Sequence, residues 1–402
     1  MNKKFDIHIW EYNLALFLRA AILLSPVMLL FYQENGLSVQ DLFFFQGIFY
    51  LTSIIMEFPA GYLSDLISRK QVMLISFVIF LGINFMWLFG HGYFVILLGE
   101  ILFGVSKVLM DNAVSGYLYD YLITKNNNAG MAKYYGYLNF YLAMGTACAA
   151  LFGTWLYVKF GSPVVLKTEI SIMFISIALI CSMPTIKNSK DKSNTLREKI
   201  LEFKQTTVNI YQKDEIKYFI FYSGLLTAVS ILFALSFQPL MQNAMVPVAL
   251  FGLAAFFNHG IRALSGAIVG NRQGNFNIHK MIIPLYALYI AAFGLIFEIL
   301  FCKNTAVVIS LIFAICLVIG AQLIFTILHI SRLHKFVTTN ERGSLIAVNN
   351  FVSRSLAALA LVCSKFFLYK TGMVSFYIFA FVIFVISGGY IVSKILKNGE
   401  RV

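Results

Sequence analysis

Twelve apolar stretches, each of 20 or more residues, run almost end to end and leave this chain few folds to adopt. They cover residues 10–32, 41–63, 71–90, 94–122, 134–157, 164–183, 217–241, 248–270, 280–301, 305–330, 345–369 and 373–396, here called spans 1 to 12. About 20 apolar residues make a helix long enough to cross a bilayer, since a rise of about 1.5 Å per residue must cover about 30 Å of hydrocarbon. The spans are too long for barrel strands, and they lack the alternation of period two that a barrel requires. Composition agrees: 59% of residues are hydrophobic and 12% charged, against about 45–50% and about 25% in soluble domains. The expectation is an all-α membrane protein of twelve helices.

The net charge of +13 raises the question of nucleic acid, and its distribution answers it. Of the 31 Lys and Arg, four lie inside spans and five at one set of loops and helix ends: Lys159, Lys167, Lys303, Lys365 and Lys370. The other 22 fall on the opposite side. That asymmetry is the positive-inside bias and puts both termini in the cytoplasm, with no nucleic-acid partner. Met-Asn-Lys-Lys before a span of full length reads as an uncleaved start. Five scattered cysteines without a Cys-x-x-Cys argue against disulfide or metal chemistry. With no Walker-type loop, no metal spacing and no nucleophile constellation, neither a cofactor nor an enzyme is expected.

A polar stretch at 185–216, rich in lysine, divides the chain into six-span halves, 1–184 and 217–402. It is either a basic linker or, over 195–212, an amphipathic surface helix carrying Leu196, Ile200, Phe203 and Val208. The halves resemble one another. Residues 138–161 align on 349–372 without gaps, setting Asn139-Phe140 on Asn350-Phe351, Lys159 on Lys370 and Gly161 on Gly372. Pro26-Val-Met28 recurs as Pro239-Leu-Met241, and Gly61 falls on Gly266. Internal repeats in a membrane chain point to alternating access, with the site at the repeat interface.

Between spans 2 and 3 stands Glu57-Phe-Pro-Ala-Gly-Tyr-Leu-Ser-Asp-Leu-Ile-Ser-Arg-Lys70. Gly61 there is expected to allow close helix approach, and Asp65, Arg69 and Lys70 to sit at the water boundary. Gly61, Leu63, Asp65, Arg69 and Lys70 match the pattern G-x-L-x-D-(R/K)-x-G-(R/K)-(R/K), with Leu66 and Ser68 departing from it. The stretch resembles the loop between helices 2 and 3 of the major facilitator superfamily. Glu57-Phe-Pro-Ala-Gly and Ser115-Gly-Tyr-Leu-Tyr-Asp120 resemble its bacterial exporters. The resemblance implies two six-helix bundles working by a rocker switch, a monomer in the bacterial inner membrane, and a cytoplasmic gate at Gly61, Asp65 and Arg69. It also implies that spans 1, 4, 7 and 10 line the cavity while 3, 6, 9 and 12 stay outside. Two exporter features depart: Glu100 stands four residues before Gly104 where an Arg is usual, and span 5 has Gly136, Gly145 and Gly153 but no Pro. Asp120, near the end of span 4, is expected at the surface or between domains.

Ionisable groups inside spans are costly, about 2.5–3.5 kcal/mol each on insertion scales, so each needs a partner or water. Arg19, Glu57, Glu100, Lys107, Asp111, Arg262 and Arg354 stand out. Glu100, Lys107 and Asp111 share one face of span 4. Lys107 can pair with Asp111 in the helix, or Arg19 can pair with it across from span 1. Either arrangement suits proton coupling at Asp111 and Glu100 with Arg19 and Lys107 as ion-pair partners, or a fixed network holding the helices together. Glu57 is a gate residue or a titrating carboxylate. Arg262 and Arg354 pair with Glu57 or Asp111, or await a substrate anion, with Asn258, His259, Gln322, Asn349 and Asn350 nearby. The activity expected is proton-coupled efflux of a small amphiphilic or anionic organic compound. The alternatives are an importer of an anionic nutrient, or a receptor or lipid-handling protein without ion-driven flux.

Overall fold

The computed structural model describes residues 7–125, 131–186, 214–271, 278–333 and 342–399, with 197–198, 201, 204–205, 207–208 and 212 between them; the side chains of 7, 65, 131–133, 214–215, 267, 269–271, 279, 331–333, 342–344, 346, 371 and 398–399 are not described. Twelve helices are long and apolar enough to cross a membrane, with bounds within four residues of those expected from sequence. Leu196, Ile200 and Phe203 of the proposed surface helix lie outside the described residues, and Val208 is exposed.

The helices sort into two compact units. The first holds Met1–Leu37, Ile55–Leu196 and Val248–Ala263; the second holds Ser38–Ile54, Arg197–Pro247 and Leu264–Val402. Relative to the sequence halves, each unit carries one segment from the other: the start of span 2 belongs to the second unit, and the start of span 8 to the first. Local chemistry accounts for both. Within the second unit, a Cβ on Gly47 would lie 2.9 Å from the backbone nitrogen of Val362, so glycine lets span 2 press on span 11. Lys365 Nζ lies 3.0 Å from Asp41 Oδ1 and over the Phe44 ring at 4.4 Å. Within the first unit, a Cβ on Gly252 would stand 2.3 Å from the Ala150 carbonyl oxygen, which brings span 8 onto span 5.

Turn chemistry repeats between the halves. Gly161 and Gly372, aligned by sequence, both have φ +77° at the breaks between spans 5 and 6 and between 11 and 12. Spans 1 and 7 also end alike. The Leu37 N–H donates to the Tyr32 carbonyl past Gly36 (φ 75°), and the Val246 N–H to the Met241 carbonyl past Met245 (φ 56°). This closure favours glycine at the left-handed position. Met245 is 76% exposed and gives up little packing. Met245→Gly is therefore expected to stabilise the fold by up to about 1 kcal/mol, readable as a higher thermal midpoint.

Span 3 starts with a capping box. Ser68 accepts from the Gln71 N–H, and the Ser68 N–H donates to Gln71 Oε1 at 3.0 Å. Ser68, a departure from the family pattern, thus satisfies backbone donors that would otherwise be orphaned. At the far end of span 6, Lys70 Nζ donates to the carbonyls of Cys181 (2.8 Å) and Met183.

Candidate functional site

The polar interior of the first unit is built around a break in span 1. Its first helix ends at Ala20, a 3-10 turn covers Ser25–Val27, and a second helix runs Met28–Glu34. Pro26 is the cause: it has no N–H to offer the Ile22 carbonyl, which takes the Ser25 N–H instead at 3.3 Å. Groups freed by the break find partners on neighbouring spans. Leu24 N–H donates to Glu169 Oε1 of span 6 at 2.8 Å, and the Leu23 N–H acts on the same carboxylate. Thr146 Oγ1 of span 5 donates to the Ala20 carbonyl at 3.3 Å. Span 5 also abuts the backbone directly, since a Cβ on Gly145 or Gly153 would lie 2.2 or 2.0 Å from the carbonyl oxygens of Phe17 or Leu23. Two of the three span 5 glycines therefore serve packing against span 1.

Arg19 occupies the last turn before the break and is buried. Sequence reasoning offered it to Asp111. Instead its Nη2 donates to Ser106 Oγ at 3.0 Å, and its guanidinium lies over the Phe80 ring at 3.8 Å. Its Nε has no hydrogen-bond partner among the described residues. Ser106 in turn donates to the Ser76 carbonyl at 2.8 Å. Glu169 and Asp111 both act on Arg19 electrostatically, but Asp111 takes its ion pair from Lys107, one turn away on its own helix. A neighbour four residues away reaches the carboxylate without crossing between spans.

Glu100, Lys107 and Asp111 share a helix face but not an environment. Glu100 is fully buried and accepts from Tyr32 Oη at 2.6 Å. The Lys107 and Asp111 side chains are 44% and 37% exposed. Seven to eleven residues of rise separate them from Glu100, about 10–16 Å along the axis, which is enough to pass from packed interior to open surface.

The expected gate residues also shift in meaning. Arg69 Nε donates to Asp120 Oδ2 at 2.8 Å, and its Nη1 to the Asn112 carbonyl at 3.5 Å. Asp120, expected at the surface or between domains, is buried in this pair inside the first unit. Gly116 makes room for it, because a Cβ there would lie 2.0 Å from Arg69 Nη1. Gly61 does not mediate a close approach here: nothing lies within 4 Å of where its Cβ would be. The Asp65 side chain lies outside the described residues.

Asn258, His259 and Arg262 belong to the first unit, with Asn258 buried and the other two half-buried. Arg354 and Asn350, half-buried, belong to the second, as does Gln322. Gln322 is held by its own neighbours. Its Nε2 donates to Thr227 Oγ1 (3.1 Å) and Thr326 Oγ1 (2.8 Å), and its Oε1 accepts from Ser230 at 3.5 Å. With its amide engaged and the residue buried, it ties spans 7 and 10 together. Ser230 also bonds the Tyr289 hydroxyl, which brings in span 9.

Glu169 is the residue that sequence reasoning missed. The family plan places span 6 outside the cavity, so a carboxylate there drew no notice. The available signal was the pairing of Pro26 inside one apolar span with a lone Glu inside another.

Comparison with known proteins bears on the family and the fold. A family profile described as Major Facilitator Superfamily matches residues 13–362. Quinolone resistance protein NorA of Staphylococcus aureus is 27% identical over 139 residues, or 35% of this chain and 34% of that protein, in strains N315 and COL alike. The match thus spans about a third of the relative's length. Among solved structures, a point mutant of the nucleoside transporter NupG superposes with a TM-score of 0.77 at 13% identity, covering 97% of this chain and 99% of that one. A bacterial homolog to the human lysosomal transporter Spinster gives 0.65 at 12% identity, covering 97% and 92%. At such identities the two structures speak for the fold alone.

Proposed function

We propose, starting from the fact that this chain belongs to the Major Facilitator Superfamily, that it is a proton-coupled exporter of a small amphiphilic or anionic organic compound. As a member it is a multi-pass membrane transporter of small molecules. The observation that carries the coupling reading is the Lys107–Asp111 pair. It sits at the middle of span 4, with both side chains open. An ion pair facing lipid at that depth would be heavily penalised, so an open pair at midspan faces water inside the membrane. Protonating Asp111 would free the Lys107 ammonium for an anionic group, which carries proton and anion the same way and serves the import reading. Export needs the two to take turns, the compound favouring ionised Asp111 and the incoming proton favouring its release. That reciprocity is what couples two ligands.

Glu100, bonded by Tyr32, and Glu57 are the further coupling carboxylates. Arg262 with Asn258 and His259, and Arg354 with Asn350, supply the cations and polar groups for a substrate anion. Gly61, Asp65 and Arg69 serve the cytoplasmic gate. The protein acts as a monomer in the bacterial inner membrane with both termini cytoplasmic, by rocker-switch alternating access between the halves 1–184 and 217–402. Partial similarity to the quinolone resistance protein favours export. Import of an anionic nutrient would use the same arginines, and is favoured if proton and substrate cross in the same direction.

Thermal stabilisation of the purified protein by organic anions and by lipophilic cations, in wild type and Arg262→Gln, tests the substrate class. Stabilisation by an anion that disappears in the variant is the expected result. Stabilisation by cations alone, unchanged in the variant, would overturn the anion reading and turn Glu100 and Asp111 into the substrate site.

A further inference from the structure

We propose that Glu169 is a further positioning residue of the transport cycle, whose gain and loss of a proton releases and closes the break in span 1. The inference rests on the proton-coupled reading, but on a different carboxylate from the one that carries it.

The geometry is that of a carboxylate serving as the external cap of an interrupted helix. Leu23 and Leu24 lie in the interruption, where no backbone carbonyl among the described residues takes their N–H groups; Glu169 takes that of Leu24 and acts on that of Leu23 beside it. Broken helices at membrane depth place free backbone donors where a transporter moves. Here those donors are satisfied by an ionisable side chain that is buried. Charge-assisted N–H bonds to a carboxylate are roughly twice as strong as those to a neutral acceptor. A proton taken up on the carboxylate therefore weakens the cap while leaving the chain intact, and its release restores it. The rest of the surround is poised for a bend: Thr146 holds the Ala20 carbonyl, and Gly153 leaves the Leu23 carbonyl room against span 5.

Few other charges compete for this role. From span 1, Arg19 faces Glu169 electrostatically. Span 3 carries only Arg69 and Lys70, both at its start, the first paired with Asp120 and the second bonded to carbonyls at the end of span 6. Span 5 offers Lys159 at its far end, over the Trp155 and Phe160 rings, and Lys133, whose side chain is outside the described residues. On span 6 itself Lys167 is exposed. Arg19 is thus the group that senses Glu169, and it is also the group that Asp111 acts on. This gives the break an electrostatic connection to the Lys107–Asp111 pair without a direct contact.

Hydrogen–deuterium exchange of peptides covering residues 20–27, followed against pH in the full-length purified protein and corrected for intrinsic exchange, tests the proposal without needing a substrate. Wild type is expected to exchange about tenfold or more faster on the acid side of a single transition. Glu169→Gln should show the fast exchange at every pH, Glu169→Asp should keep a displaced transition, and Asp111→Asn should keep a transition, displaced only through Arg19. A flat wild-type profile overturns the proposal, and so does loss of the transition in Asp111→Asn. If Glu169→Gln fails to fold, wild type, Glu169→Asp and Asp111→Asn still decide. A pH gradient that fails to drive, in liposomes, movement of the compound found to stabilise the protein, while the exchange transition stands, would overturn the proton-coupled reading alone.

Discussion

Asp111→Asn is expected to abolish gradient-driven accumulation and to leave exchange intact. A gradient of one pH unit is worth about 1.4 kcal/mol per proton, hence about a tenfold concentration ratio at steady state. In the variant that ratio falls to about one, because the amide neither takes nor gives a proton. Substrate counterflow, which needs only the conformational cycle, persists. The side chain is 37% exposed and paired within its own helix, so the fold loses little. The measurement is accumulation and counterflow of one labelled substrate in the same liposomes. Loss of expression or of the thermal transition would instead mark the pair as a structural clamp. Equal accumulation in both proteins would exclude Asp111 from coupling and favour transport without ion-driven flux.

Gly153→Ala and Gly136→Ala, a single methyl group added to the same helix, are expected to have opposite effects. At Gly153 the new Cβ would stand 2.0 Å from the Leu23 carbonyl oxygen and 2.7 Å from its carbon. Backbone must move, and overpacking of this kind costs about 1–3 kcal/mol or more. At Gly136 no described residue lies within 4 Å, and alanine in a helix interior gains up to about 1 kcal/mol over glycine. Thermal midpoints of the two variants should therefore diverge to either side of wild type. A normal midpoint in Gly153→Ala would mean that span 5 does not bear on the break in span 1.

The positions of the spans were legible because a bilayer demands length and apolarity, and both can be counted along the chain. The repeat was legible too, down to Gly161 and Gly372 sharing φ +77°. Pairing was harder to read. The i to i+4 spacing of Lys107 and Asp111 gave their ion pair directly. Arg19 misled, because whether it turns to Asp111 or to Ser106 depends on where spans 3 and 4 sit around it. From sequence Gln322 is only a polar group at depth, and packing supplies Thr227 and Thr326 as partners of its amide. Gly61 and Asp120 carried motif-level expectations whose local reasons differ from those the motif suggested.

What the sequence determined by itself is the class of protein: twelve helices, their order, their caps and turns, and the residues too polar to face lipid. Those follow from local rules, since helix propensity, span length and the desolvation of charge act on each segment separately. Which buried group meets which was decided by tertiary structure. Glu169 became a cap only because Pro26 broke a helix 143 residues away in the chain and packing brought span 6 against the gap. A freed backbone N–H takes whichever acceptor the fold brings within reach, and no spacing along the chain encodes that meeting.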